Sequence, residues 1–63
     1  MSHLRIKELR NSRGLTQMEL AKLSGVARAT IARYEAGEDR RPHPSTIKRL
    51  AKVLKVPPED LRA

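Results

Sequence analysis

The sequence has no cysteine, tryptophan or phenylalanine and only one tyrosine. Without cysteine the chain can form neither a disulfide nor a thiolate metal site. A single tyrosine offers little surface on which unpaired bases could stack, which argues against a binder of single-stranded RNA or DNA. No apolar run approaches the ~20 residues of a membrane span, and the first residues do not resemble a signal peptide.

Acidic residues are also few compared with basic ones. Seven aspartates and glutamates stand against 14 lysines and arginines, so the formal net charge is +7 on 63 residues. A surplus of this sign favours a polyanionic partner, either nucleic acid or an acidic membrane surface. The length predicts one domain over residues 1–63, too small for a deep substrate cavity. The serines and two distant histidines suggest neither a catalytic grouping nor a metal site, so we predict no enzyme, no cofactor and no small-molecule substrate.

Apolar residues recur at helical spacing, which predicts an all-α, compact five-helix domain. The first helix ends at Arg13-Gly14, where glycine can take the left-handed conformation. Pro57-Pro58-Glu59-Asp60 indicates the start of a short last helix, with proline in its first turn and acids favoured by the helix dipole. The fourth helix has its apolar residues at i, i+3, i+4 and i+7, namely Ile47, Leu50, Ala51 and Leu54.

The second and third helices are joined by a very short turn. Thr16 and Glu19 have the spacing of a capping box at the start of the second helix. Ala21 is small enough for two helices to cross closely, and Gly25 suits a turn that needs positive φ. These features predict a helix-turn-helix, whose second helix enters the major groove of DNA while the first crosses the backbone.

Several motifs occur in the order expected for one known family. They are Gln17-Met18-Glu19-Leu20-Ala21, Gly25-Val26, Thr30-Ile31 and Tyr34-Glu35-Ala36-Gly37. With these motifs the sequence resembles the Cro/C1-type (XRE-like) helix-turn-helix family of phage repressors and bacterial regulators. The resemblance extends over nearly the whole chain and implies a lambda-repressor-like fold.

The resemblance also implies that the outer face of the third helix contacts DNA bases. The positions of Arg28, Ala29 and Arg33 would face base edges, with Thr30 near a phosphate or a base. Arginine suits this role because its guanidinium matches guanine O6 and N7 together, which is worth ~1–3 kcal/mol of discrimination.

Other matching positions would contact the DNA backbone or stabilise the fold. Two lie at the start of the second helix and two in the loop after the third. Arg10 and Glu35 match a pair that forms an internal salt bridge in family members. The four residues implied in backbone contacts are Thr16, Gln17, Arg40 and Arg41.

Three residues depart from the family pattern. Ala27 stands where serine or threonine is common, so we expect the third helix to lack a side-chain cap. Lys55 stands where glycine is usual, and a positive φ there would cost roughly 1 kcal/mol. His43 replaces an arginine that some relatives place in the minor groove.

The resulting prediction is a cytoplasmic, sequence-specific double-stranded DNA-binding domain, either a transcriptional repressor or its DNA-binding part. We expect a homodimer on a pseudo-palindromic operator, with the dimer contact formed by the C-terminal residues Val56, Pro57, Pro58 and Leu61. Two other classes stay open. The first is a protein-interaction module on the same fold, antitoxin-like or coactivator-type. The second is a membrane-surface protein, since the fourth helix is basic and amphipathic, although we predict no membrane partner.

Overall fold

The computed structural model describes residues 4–38 and 42–61, which form four α-helices and a final 3-10 helix. The helices are α1 (Ile6–Ser12), α2 (Gln17–Ser24), α3 (Arg28–Glu35), α4 (Pro44–Leu54) and the 3-10 helix Pro58–Leu61. Within these ranges there is no β-strand, so the prediction of an all-α fold is confirmed. The predicted count of five helices is not confirmed, because the last short helix is a 3-10 helix of four residues. No helix in the same ranges is long and apolar enough to cross a membrane.

The two ends of α2 are fixed by the residues that the sequence indicated. The Thr16 hydroxyl accepts from the Glu19 amide at 3.0 Å, and the Glu19 carboxylate accepts from the Thr16 amide at 2.8 Å. At the other end Gly25 has φ 74°, and its N–H donates to the carbonyl of Ala21 at 2.9 Å. Glycine adopts this left-handed conformation without the steric cost that a Cβ would bring. The chain turns sharply at this residue. As a result, α3 starts only three residues later.

The start of α3 differs from that of α2. Its N-cap residue is Ala27, whose side chain makes no capping hydrogen bond to the first turn. The absence of a side-chain cap is therefore confirmed. At its far end the helix stops at Ala36, and Gly37 takes φ 74° while its N–H donates to the Tyr34 carbonyl at 3.2 Å.

All four α-helices and the 3-10 helix contribute to one aliphatic core. On α3, Ile31 and Tyr34 point inward, which leaves the opposite side of that helix facing solvent. Leu61 is also fully buried, at 0% exposed, so its predicted part in a dimer contact is wrong. The buried residues are Leu4, Ile6, Leu20, Val26, Ile31, Tyr34, Ile47, Leu50, Ala51, Leu54 and Leu61.

Two polar contacts join the beginning of the described chain to the ends of later elements. The Arg5 amide donates to the Leu61 carbonyl at 2.8 Å, which holds the 3-10 helix against the start of α1. The Arg13 Nε donates to the Leu54 carbonyl at 3.2 Å and so satisfies one of the last carbonyls of α4.

Lys55 ends α4 in the left-handed conformation, with φ 59° and ψ 44°. It is the one residue other than glycine with positive φ in the described ranges. The condition under which strain was expected at this position is therefore met. The strain is tolerated because the Lys55 amide and the Val56 amide both bond carbonyls of the last turn of α4, at 3.3 and 3.1 Å.

Replacing Lys55 by glycine is expected to increase the free energy of unfolding by about 1 kcal/mol, because the left-handed conformation costs a side-chain-bearing residue roughly 1–2 kcal/mol. Lys48→Gly is the matched control, since Lys48 is exposed within α4 and should lose about 1 kcal/mol. Urea unfolding measures both. Equal destabilisation by the two changes would contradict the strain at Lys55.

Candidate nucleic-acid interface

The outer side of α3 carries the residues predicted to contact bases. Arg28, Ala29 and Arg33 are exposed, and Thr30 is half-buried. Ala29 and Arg33 lie outside because each is two residues, or roughly 200° around the helix, from the fully buried Ile31. Arg28 projects from the first turn of α3. Both arginines of this helix therefore lie at the protein surface. The exposed Ala29 has a short side chain, so another molecule can come close to the helix backbone there.

A surface cleft of about 620 Å³ brings Arg28 together with the start of α2. Thr16 and Gln17, predicted to contact the DNA backbone, line the same cleft as Arg28. Residues assigned to two different roles thus share one surface. Arg33 is also exposed on α3 but is not among the residues lining the cleft.

Met18 also lines this cleft and is 53% exposed, although no role of its own was predicted for it from the sequence. A signal for its position was present in the sequence. Met18 precedes the buried Leu20 by two residues, and two residues turn an α-helix by roughly 200°. Met18 must therefore lie on the outer side of α2.

Arg10 and Glu35 form a bidentate, nearly buried ion pair. Arg10 Nε lies 2.7 Å from one carboxylate oxygen of Glu35, and Arg10 Nη2 lies 3.0 Å from the other. The two side chains are only 11% and 5% exposed. Arg10 Nη1 also donates to the Leu15 carbonyl at 2.8 Å. The end of α3 is thereby attached to α1 and to the segment that leads into α2.

Gln17 extends this pair to the first turn of α2. Its Nε2 donates to Glu35 Oε1 at 3.0 Å. Because an ionised carboxylate can only accept, the nitrogen of the Gln17 amide must face Glu35. That nitrogen carries a second hydrogen, which gives Gln17 a further donor for an acceptor such as a phosphate oxygen.

The ionisation of the pair follows from these contacts. Burial by itself would raise the pKa of Glu35, but hydrogen bonds from Arg10 and Gln17, with the charges of Arg10 and Lys7, outweigh it and lower that pKa. The hydrogen bond to Glu35 is the main cause that raises the pKa of Arg10. Both groups are therefore charged at neutral pH, and the pair is a permanent ionic contact there.

The remaining predicted positions lie elsewhere. Arg40 and Arg41 fall outside the described residues. His43 is the N-cap of α4, where its Nδ1 accepts from the Ser45 amide at 3.3 Å. This role was not predicted from the sequence, although the proline at the next position, Pro44, is a signal for a helix start. Within the described ranges no group of three or more histidines and acids could hold a metal ion.

The geometry defines a small helical domain with an exposed helix-turn-helix, and comparison with known proteins agrees. A family model described as helix-turn-helix matches residues 6–61. The chain belongs to this helix-turn-helix family, and the resemblance to Cro/C1-type proteins is confirmed.

Two regulators of Bacillus subtilis strain 168 are similar in sequence. The chain is 52% identical to the uncharacterized HTH-type transcriptional regulator RghRB over 58 residues, which is 92% of this chain. It is 48% identical to the HTH-type transcriptional repressor RghR over 56 residues, or 89% of this chain. The matched part spans 42% of the length of each of these two regulators.

Two solved structures are similar in fold. The restriction-modification controller protein C.AhdI from Aeromonas hydrophila is 38% identical, with a TM-score of 0.82, 90% of this chain covered and 85% of that one. SinR, the master regulator for biofilm formation, solved in complex with DNA, is 30% identical, with a TM-score of 0.87 and 90% of each chain covered.

Glu35→Ala is expected to lower the free energy of unfolding by about 3 kcal/mol, because it leaves the charge of Arg10 without its partner in a nearly buried position. Glu38→Ala is the matched control, an exposed acid three residues further on, and should cost less than about 0.5 kcal/mol. Chemical denaturation followed by circular dichroism measures both. Similar losses for the two variants would mean that the ion pair does not stabilise the fold.

The lowered pKa of Glu35 also predicts a pH dependence. A carboxyl whose pKa is lower in the folded state stabilises the fold above its unfolded pKa of about 4.3 and loses that effect as pH falls through the folded value. Glu35→Gln has no such titration. The difference in unfolding free energy between the wild type and Glu35→Gln should therefore shrink between roughly pH 6 and pH 3. A constant difference over that range would contradict the assignment.

Proposed function

We propose that residues 1–63 form a single sequence-specific double-stranded DNA-binding domain of a transcriptional regulator that acts as a repressor. The observation that carries this proposal is the shared cleft of Arg28, on α3, with Thr16 and Gln17, at the start of α2. A helix-turn-helix needs this juxtaposition, because α3 must enter the major groove while the start of α2 meets a phosphate. Membership of the helix-turn-helix family and the likeness to SinR, which was solved on DNA, support it.

In the proposed complex α3 lies in the major groove and its arginines contact bases. Arg28 and Arg33 would donate to guanine, while Ala29 lets the helix backbone approach and can meet a thymine methyl. Thr30 would contact a phosphate or a base. The bound domain would act sterically, by occupying DNA that polymerase needs.

The backbone contacts would supply most of the affinity. Thr16 and Gln17 would bind one phosphate region, and Gln17 is already oriented for it by Glu35. Arg40 and Arg41 would follow the sugar–phosphate backbone from the loop before α4. Because each neutralised phosphate releases counterions, binding should weaken steeply as salt is added.

Two copies would bind a pseudo-palindromic operator with half-sites about 34 Å apart. One helix of eight residues contacts too few base pairs to select a site alone, and a symmetric pair doubles the contacts. The half-buried Val56 and the exposed Pro57 and Pro58 are retained as the proposed dimer contact. They follow Lys55, the C-cap residue of α4.

The test is a pair of variants, compared in binding-site selection from a random DNA pool at stated salt. Arg33→Ala should relax the base preference at one position of each half-site, by ~1–3 kcal/mol of discrimination. Arg41→Ala should weaken binding to all sequences alike and reduce the slope of log K against log salt by about 1.

Lys48→Ala, which removes an exposed charge from α4, is the control for the loss of positive charge. An unchanged preference profile in Arg33→Ala would overturn the assignment of that residue to the bases. Tight binding of a protein partner by a chain without DNA affinity would instead favour the alternative, a protein-interaction module on the same fold.

A further inference from the structure

Leu23, near the end of α2, is 63% exposed, more than Met18, the other exposed large apolar residue in the described ranges. A single exposed leucine is ordinary on a protein surface. Leu23 is not isolated, however, since it lines a cleft between α2 and α4 together with the half-buried Val53. The cleft encloses about 520 Å³, enough for a few side chains of another molecule.

The rim of this cleft is positively charged. Arg49, Lys52 and Lys55 line it, and all three are exposed. No carboxylate is among the lining residues. Two acids near α2 and α3 are already engaged, Glu19 in the capping box and Glu35 in its ion pair. The apolar centre is thus surrounded by cations that have no acidic neighbour in the cleft.

This cleft is separate from the candidate nucleic-acid interface. The two clefts have no lining residue in common. One lies at the start of α2, beside Gln17, and the other near its end, beside Leu23. Six residues of α-helix separate these positions by about 9 Å along the axis. A hydrated phosphate would satisfy the cations but would gain nothing from Leu23 and Val53, whereas an aliphatic side chain would.

We propose that the cleft between α2 and α4 docks an acidic amphipathic segment of a second protein. An aliphatic side chain of that segment packs against Leu23 and Val53, and its carboxylates pair with Arg49, Lys52 and Lys55. The charge complementarity guides the encounter, and the apolar contact in a groove holds the segment in place. The proposal does not depend on the proposed DNA binding.

The probe is a fluorescent synthetic peptide with leucines at i, i+3, i+4 and i+7 and glutamates elsewhere. A second peptide with lysines in place of the glutamates is the control. Binding to the full chain is measured by fluorescence anisotropy at low salt, and amide NMR shifts locate the site. The acidic peptide should bind and shift the amides of Leu23 and Val53, while the lysine peptide should not bind.

Three variants at exposed positions then separate the contributions, and circular dichroism checks that each stays folded. Lys52→Glu should weaken peptide binding by roughly tenfold, and Leu23→Gln by roughly fivefold or more. Lys48→Glu changes the net charge equally but lies outside the cleft, so it should have less than about a threefold effect.

Four results would overturn the proposal. The first is no binding of the acidic peptide. The second is an equal loss in Lys48→Glu and Lys52→Glu, which would reduce the effect to net charge. The third is a loss of DNA binding in Lys52→Glu with peptide binding intact, which would assign the cleft to DNA. The fourth is a dimer in sedimentation that Leu23→Gln dissociates, which would assign the cleft to a second copy of the chain.

Discussion

The nearly buried contact of Arg10 with Glu35 is the interaction on which the arrangement of the first three helices depends. It connects the end of α1 to the end of α3, and Gln17 adds the start of α2 to the same carboxylate. This chain of 63 residues has no cysteine, and its core is small. A few directional contacts therefore fix much of the relative placement of its helices. Removing one partner of a buried ion pair is costly, because the other charge is then left unpaired in a nearly buried position.

The carboxylate of Glu35 also connects the two groups of residues proposed to contact DNA. The side chain proposed to bind a phosphate, Gln17, is held by a residue of the helix proposed to contact bases, Glu35. The side chains proposed for the backbone and base contacts are therefore positioned relative to each other before any partner binds. Such preorganisation reduces the ordering cost of binding. The buried Ile31 fixes the rotation of α3 about its own axis.

Local chemistry allowed much of the fold to be predicted. The capping box of Thr16 and Glu19, the glycine at position 25 and the spacing within α4 each depend on residues only a few positions apart, and all three were correct. The last helix was not. Four residues are too few for periodicity to separate i+3 from i+4 hydrogen bonding. Moreover, the carbonyl of Leu61 is held by the amide of Arg5, which is far away in sequence.

The candidate site was predictable only in part for the same reason. The exposure of Arg33, two residues from the buried Ile31, follows from the helical period. The sharing of a cleft between Arg28 and Gln17 depends instead on how α2 and α3 cross. The exposure of Leu23 is likewise set by the crossing of α2 and α4, which no local pattern specifies.

The bare first turn of α3 has an effect on how this helix would respond to a negatively charged neighbour. With Ala27 as its cap, the leading amides receive no acceptor from the side chain of the cap residue. An external anion placed there would supply the acceptor and favour the helical state. The first turn of α3 would therefore be more stable with the anion bound than in the free chain. Part of the order of this helix would then come from the bound molecule.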